Sequence, residues 1–229
     1  MTQYVLVAGA WLGAWAWDEV VGELRGAGHG AHALTLAGLA ERRDEPRDAA
    51  IDQETHVQDI VGAVERLDLR DVVLVGHSYS GIPVGQAAQR VGDRLARVVF
   101  VDSDVPADGE SFVSGNPAVE ASIAENGGFW APPTAEDYAQ QGLTDEQITR
   151  IVTGGTPHPG GSLTGRARLD GPLGDLPATY IKCLLDWPEL SPAVAELLKS
   201  DNWRLVEMNT GHWPMFSQPH ELARILLDA

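Results

Sequence analysis

Val72-Val73-Leu74-Val75-Gly76-His77-Ser78-Tyr79-Ser80-Gly81 decides the fold. Four apolar residues in a row read as a strand buried on both faces, as in a parallel sheet covered by helices. A serine follows at once, and a helix is predicted to open at Gly81. A strand that turns this sharply into a helix holds its serine in a strained backbone conformation, with the hydroxyl exposed above the sheet edge. The residues two before and two after the serine nearly touch in such a turn, so both must be small. Here they are Gly76 and Ser80. The N-terminus of the following helix points N–H groups at the site and favours negative charge there.

Outward from this turn the chain alternates. Strands are predicted at Tyr4–Val7, Ala31–Leu34, Val98–Val101, Thr179–Cys183 and Trp203–Glu207. Helices are predicted at Trp17–Arg25, Gln53–Leu67, Gly81–Val91, Pro192–Lys199 and Glu221–Leu227. In Gln53–Leu67 the apolar residues Val57, Ile60, Val61, Val64 and Leu67 recur at helical spacing. Strands alternating with helices imply βαβ units and a mostly parallel sheet, an α/β fold. The alternation stops between Asp104 and Pro172, where Gly and Pro are frequent and short helices fit Ala118–Glu125, Thr134–Gln141 and Thr144–Val152. Thr144 and Gln147 have the spacing of a capping box. A structureless loop of that length is uncommon in a compact domain. The chain therefore divides into a core, 1–103 and 173–229, and an insertion, 104–172, placed to cover the sheet end as a lid.

Composition narrows the function. The 229 residues carry 16 Lys and Arg against 33 Asp and Glu, a formal net charge of −17. Such a surface repels phosphate backbones and anionic lipid heads, so neither nucleic acid nor a membrane is an expected partner. With 44% hydrophobic and 21% charged residues the chain reads as globular, not disordered. One cysteine, Cys183, excludes an internal disulfide. The apolar stretch Tyr4–Trp17 lacks the basic residues that precede a secretory signal core, so it reads as strand and loop, and a cytoplasmic location is expected. Asp and His residues do not fall at metal-ligand spacings, and no cofactor is expected. Oligomeric state is not legible.

A serine hydroxyl needs a base, and the base an orienting group. Among seven histidines, His212 alone follows a late strand into a loop, Met208–Pro214, at the edge where parallel sheets place their sites. For the acid, Asp186 follows Thr179–Cys183 and gives the chain order Ser, Asp, His; Asp102 and Asp104, after Val98–Val101, are the alternatives. An oxyanion hole takes one N–H from the residue after the serine, Tyr79, and one from the loop after the first strand, assigned to Ala10. Gly160-Gly161-Ser162-Leu163-Thr164 matches the same loose serine pattern but follows no apolar strand, and reads as a turn. Trp11, Phe112, Phe129, Trp130, Trp187 and Trp213 are candidates to line an apolar substrate pocket.

The elbow Gly76–Gly81, the loop Gly9-Ala10-Trp11, Tyr180–Cys183 and Gly211-His212 before Pro214-Met215 together resemble the α/β-hydrolase superfamily, in its small branch of plant methyl esterases, hydroxynitrile lyases and bacterial carboxylesterases. The resemblance spans the chain outside 104–172. It implies an eight-stranded sheet, shorter in members lacking the first strands, with a lid. It also implies a Ser78–His212–Asp186 triad with Ala10 and Tyr79 as oxyanion donors. The activity it implies is cofactor-free cleavage of a small hydrophobic carboxylic ester. Two positions depart from the family pattern. Ala8 stands where a loop-supporting histidine is usual, which leaves room for a ligand-binding or accessory protein that retains the triad. Trp213 stands where hydroxynitrile lyases carry a lysine, so carbon–carbon bond cleavage ranks below hydrolysis.

Overall fold

The computed structural model describes residues 1–45, 50–185 and 187–229. Its centre is a parallel sheet of β1 (Gln3–Val7), β2 (Gly30–Leu34), β3 (Val72–His77), β4 (Leu95–Val101), β7 (Ala178–Cys183) and β8 (Trp203–Met208). The strand order is β2-β1-β3-β4-β7-β8. Every residue of β3 and of β7 is buried, so helices cover both faces of the sheet. The expected α/β architecture is present. The sheet has six strands among the described residues, not the eight of the family pattern, and β1 pairs directly with β2 and β3.

Five helices sit close to their predicted places, α1 (Asp18–Gly26), α2 (Gln53–Arg66), α3 (Gly81–Arg90), α7 (Pro192–Leu197) and α9 (Pro219–Leu227), and a short α8 (Pro214–Ser217) that the sequence reading did not expect precedes α9. α1 packs on α9, and α2 on α3. α2 starts where Asp52 accepts the Thr55 N–H at 2.8 Å while the Thr55 hydroxyl takes the Asp52 N–H, a reciprocal cap.

Within 104–172 lie α4 (Pro117–Glu125), α5 (Asp145–Gly154), α6 (Gly160–Thr164) and a two-residue antiparallel ladder of β5 (Phe129–Trp130) and β6 (His158–Pro159). The Thr144–Gln147 capping box forms at the start of α5. The helix expected over Thr134–Gln141 starts with a cap, Asp137 accepting the Thr134 N–H at 2.7 Å, but shrinks to one 3-10 turn, Ala135–Tyr138, because Ala139 is extended and Gln140 adopts φ 66°.

The sequence order doubles back at β1 and β3: β1 leads to β2 on one side, and the next strand, β3, returns to the other. Crevices open at the carboxyl ends of strands at such a reversal. Three non-glycine residues adopt left-handed conformations beyond three adjacent strands there: Trp11 (φ 67°) after β1, Ser78 (φ 55°) after β3 and Asp102 (φ 41°) after β4. Close approach holds the elbow. The Asp104 N–H donates to the Ser78 carbonyl at 3.3 Å, and a Cβ at Gly81 would lie 2.1 Å from the Asp104 carbonyl oxygen.

Gly81→Ala is therefore expected to cost about 2–3 kcal/mol, because the clash is with backbone that cannot move without displacing the elbow. Gly22, on the exposed side of α1, has open space where a Cβ would go. Gly22→Ala is expected to stabilise by about 0.5–1 kcal/mol. Urea denaturation of the two variants beside the parent checks both signs.

Candidate active site

Ser78 occupies the turn between β3 and α3. The tightness of that turn is set by Gly76, where a Cβ would lie 3.0 Å from both the Ser80 carbonyl oxygen and the Val84 Cβ. Ser80 is buried, and its hydroxyl joins the turn to its surroundings. It takes the His77 N–H at 2.8 Å and reaches the carbonyls of Val7 and His77 at 2.8 and 2.9 Å. The serine two past Ser78 thus ties the elbow to β1, which a glycine there could not do. Gly9 brings the β1 loop against the elbow: a Cβ on it would lie 2.9 Å from the Ser78 Cβ. Tyr79 opens the helical turn, so its N–H has no acceptor within the helix.

His212 follows β8. Its imidazole Nδ1 is 2.7 Å from Asp102 Oδ2. The other carboxylate oxygen, Oδ1, accepts from the Lys182 ammonium at 2.7 Å and from the Cys183 N–H at 3.2 Å. Asp102 is deeply buried, with a side chain only 3% exposed. Burial raises its carboxyl, but the His212 hydrogen bond and then Lys182 outweigh that and hold it below the usual carboxylate range. A negative Asp102 favours the Nδ1–H tautomer of His212 and leaves Nε2 as the basic nitrogen. Asp104 behaves differently: burial pushes its carboxyl up, and the Asp102 charge adds to that against the pull of His212.

The sequence placed Asp186 first as partner of this imidazole. Asp186 lies outside the described residues. Among the described residues, the carboxylate on His212 Nδ1 is that of Asp102, one of the two alternatives. Both aspartates follow neighbouring strands that end at the same edge, so chain order alone did not separate them.

The loop carrying His212 is clamped from two sides. Its N–H donates to Gln141 Oε1 at 2.7 Å, and its carbonyl accepts from His77 Nε2 at 2.7 Å. A Cβ at Gly211 would lie 2.3 Å from the Gln141 carbonyl oxygen, so glycine is required beside the clamp. The His77 ring lies 4.7 Å from that of His212 and 5.2 Å from that of Trp213. His77, named in sequence only as part of the elbow, holds the His212 backbone. Lys182 carried a readable signal, since a charge inside a buried strand demands a buried partner. Gln141 carried none, because it acts through loop geometry.

Ser78, Asp102, Asp104, Lys182 and His212 all line one cavity of about 490 Å³. Of the aromatic candidates, Trp11, Phe112, Trp130, Trp187 and Trp213 line it too. Phe129 does not, and is 44% exposed, because β5 turns its side chain outward while Trp130 faces in. Tyr138 and Tyr180 complete the aromatic wall. Ala10 is buried beside Trp11. Ser162, in the second loose serine motif, is fully buried inside α6 and does not line the cavity.

Full burial, with the nearby His212 imidazole adding to it, drives His77 down to about 3. The folded state keeps this ring neutral while the unfolded chain protonates it near the ordinary histidine value. Its contribution to stability is therefore complete above about pH 6.5 and declines as pH falls toward 3. One proton corresponds to about 1.4 kcal/mol per pH unit. His77→Gln is expected to flatten the acid limb of the unfolding free energy by about that slope between about pH 4 and 5.5. Urea titrations at several pH values measure it.

Comparison with known proteins agrees with the fold. The model of the Alpha/beta hydrolase family matches residues 4–225. The chain is 36% identical over 134 residues to a carbendazim hydrolyzing esterase of Nocardioides sp. (strain SG-4G), a match covering 57% of this chain and 55% of that protein. It is 27% identical to Methylesterase 9 of Arabidopsis thaliana over 257 residues, covering 99% and 97% of the two chains. A solved extracellular alpha/beta-hydrolase from a Paenibacillus species superposes with a TM-score of 0.85 at 23% identity, over 100% of this chain and 98% of that one. With its elbow serine, its six parallel strands and a family match spanning nearly its whole length, this chain belongs to the alpha/beta hydrolase family.

Proposed function

We propose that the protein is a serine hydrolase that cleaves small, neutral carboxylic esters through an acyl-enzyme, with Ser78 as nucleophile, His212 as base and Asp102 as the orienting acid. The observation that carries this reading is the Asp102–His212 hydrogen bond beside a serine on a left-handed elbow, with all three residues lining one cavity. The esterase and methylesterase names of the relatives agree with it.

In the proposed reaction the Ser78 hydroxyl oxygen attacks the ester carbonyl carbon while His212 Nε2 takes its proton. The carbonyl π electrons move to oxygen, and the N–H groups of Ala10 and Tyr79 receive the oxyanion. Collapse breaks the bond to the alcohol oxygen, which leaves with the proton from His212. Water then repeats the sequence on the acyl-serine, releasing the acid and restoring Ser78. Asp102 remains ionised throughout and stabilises the imidazolium. Residues 104–172 form the proposed cover of the site, contributing Phe112, Trp130 and Tyr138 to its aromatic wall.

Ser78→Ala is expected to abolish hydrolysis of p-nitrophenyl butyrate and the labelling of position 78 by a fluorophosphonate, read by peptide mass spectrometry. Asp102→Asn should lower kcat by about 10³–10⁴-fold, since the amide favours the wrong imidazole tautomer. Asp186→Asn should stay within about tenfold of the parent. A parent enzyme that neither turns over nor labels at Ser78 would defeat the hydrolase reading, and the reverse order of the two aspartate variants would defeat the choice of acid.

The cavity also sets a charge preference. Lys182 is paired with Asp102, while Asp104, Asp137 and Glu189 face the same space. An ester bearing a free carboxylate meets net negative potential there. Its kcat/KM is expected to fall about tenfold below that of a neutral isostere, with the gap narrowing as salt is raised.

A further inference from the structure

Trp11 is a bulky residue in a left-handed conformation, φ 67°, at the turn of the loop after β1. Such a peptide is unfavourable by itself and keeps its shape only when its surroundings dictate it. Ala8, just upstream, has no side-chain polar group to do so. The dictating groups all come from 130–158. The Trp11 N–H donates to His158 Nδ1 at 3.3 Å. Its carbonyl accepts from the Thr156 N–H at 2.9 Å and lies 3.2 Å from the Thr156 hydroxyl. Its indole N–H donates to the Trp130 carbonyl at 3.2 Å, and the two indole rings meet at 4.1 Å.

The proton positions follow from the partners. The Ser162 hydroxyl donates to the Pro159 carbonyl at 2.8 Å, which uses its only hydrogen. At 2.9 Å from His158 Nε2 it must then accept, so Nε2 carries the proton. His158 Nδ1 is left bare, the form that can receive the Trp11 N–H. His158 is fully buried, and burial, with His56 beside it, keeps the ring neutral. The same corner reaches the elbow. The Tyr79 hydroxyl lies 3.3 Å from the Ser162 carbonyl and 2.9 Å from His56 Nδ1.

We propose that His158, fixed by Ser162, is a positioning residue for the oxyanion hole: it holds the Trp11 peptide so that the preceding Ala10 N–H keeps its aim, while the Ser162 carbonyl steadies Tyr79. This inference rests on the hydrolase reading above. It makes the β6–α6 corner a fixed support of the catalytic machinery and not part of a gate.

The test compares His158→Phe, which removes the acceptor, with His158→Gln, whose amide can both accept from Trp11 and donate to Ser162, and with Ser162→Ala, which frees the His158 tautomer. Active enzyme is counted by fluorophosphonate stoichiometry at position 78, so that kcat refers to folded sites only. His158→Phe is expected to lower kcat by about 10–100-fold with KM within about twofold. The inhibition constant of a trifluoromethyl ketone, whose hemiketal places an oxyanion in the hole, should rise in parallel. His158→Gln should recover most of the loss, and Ser162→Ala should show a smaller loss of the same kind. If His158→Phe does not fold, Ser162→Ala and His158→Gln decide: kcat and ketone affinity both lower in Ser162→Ala and retained in His158→Gln support the proposal. A per-site kcat within twofold of the parent in His158→Phe, or in Ser162→Ala where His158→Phe does not fold, overturns it. So does a change confined to KM. Failure of the parent to label or turn over would instead defeat the underlying hydrolase reading.

Discussion

The Asp102 carboxylate is the constraint on which the site depends. Its two oxygens join three parts of the chain: β4, which ends just before it, β7 through Lys182 and the Cys183 N–H, and the loop after β8 through His212. The partners lie 80 and 110 residues away in sequence. A charge this deeply buried is tolerated only when its acceptor sites are occupied, and here three donors occupy them. The arrangement is also asymmetric. Lys182 and the Cys183 N–H engage Oδ1, which turns Oδ2 toward His212. Removing Lys182 would thus do more than expose a charge, because it would release the rotation of the carboxylate on which the imidazole orientation depends.

Strain is concentrated where this constraint operates. Trp11, Ser78 and Asp102 stand in left-handed conformations beyond β1, β3 and β4, three neighbouring strands. Each such conformation costs on the order of 1–2 kcal/mol for a residue with a side chain. Each is held by contacts remote in sequence: Trp11 by His158 and Thr156, Ser78 by the Asp104 N–H on its carbonyl, and Asp102 by its N–H on the Ile181 carbonyl at 2.7 Å. The parallel sheet makes this possible. It fixes strand ends at a common edge, and the chain must then turn abruptly within one or two residues. The abrupt turn exposes the Ser78 hydroxyl and leaves helix-opening N–H groups without internal partners.

The elbow was legible because its information is local: an apolar run, small residues at fixed offsets and a helix start lie within ten positions. The strands of the sheet were legible for the same reason, and so was the capping box of α5. The surroundings of Asp102 were less so: it was one of three aspartates that follow strands reaching the same edge, and what turns its carboxylate toward His212 is Lys182, a contact across the sheet. The short turn at Ala135–Tyr138 replaced an expected helix because the backbone leaves the helical region at Ala139 and Gln140, a break that helical periodicity does not register. Gln141, just beyond that turn, reaches the His212 N–H only because the helix fails to form there.

The role proposed for His158 shows how far a function can lie from its signal. In sequence it is one histidine among seven, next to a serine motif that lacks a preceding strand. The fold turns that motif inward. Ser162, too buried to attack a substrate, spends its hydrogen on the Pro159 carbonyl and so sets the His158 tautomer. The consequence bears on how the inserted segment works. A lid that swung clear at β5 and β6 would take with it every hydrogen bond given above for the Trp11 peptide and indole, and a left-handed tryptophan without them would relax. Opening that corner and keeping the oxyanion loop formed are incompatible demands on the same few contacts. On the proposed reading, substrate would enter by a part of the cavity rim that does not carry them, such as the side where Trp187 stands 71% exposed after β7.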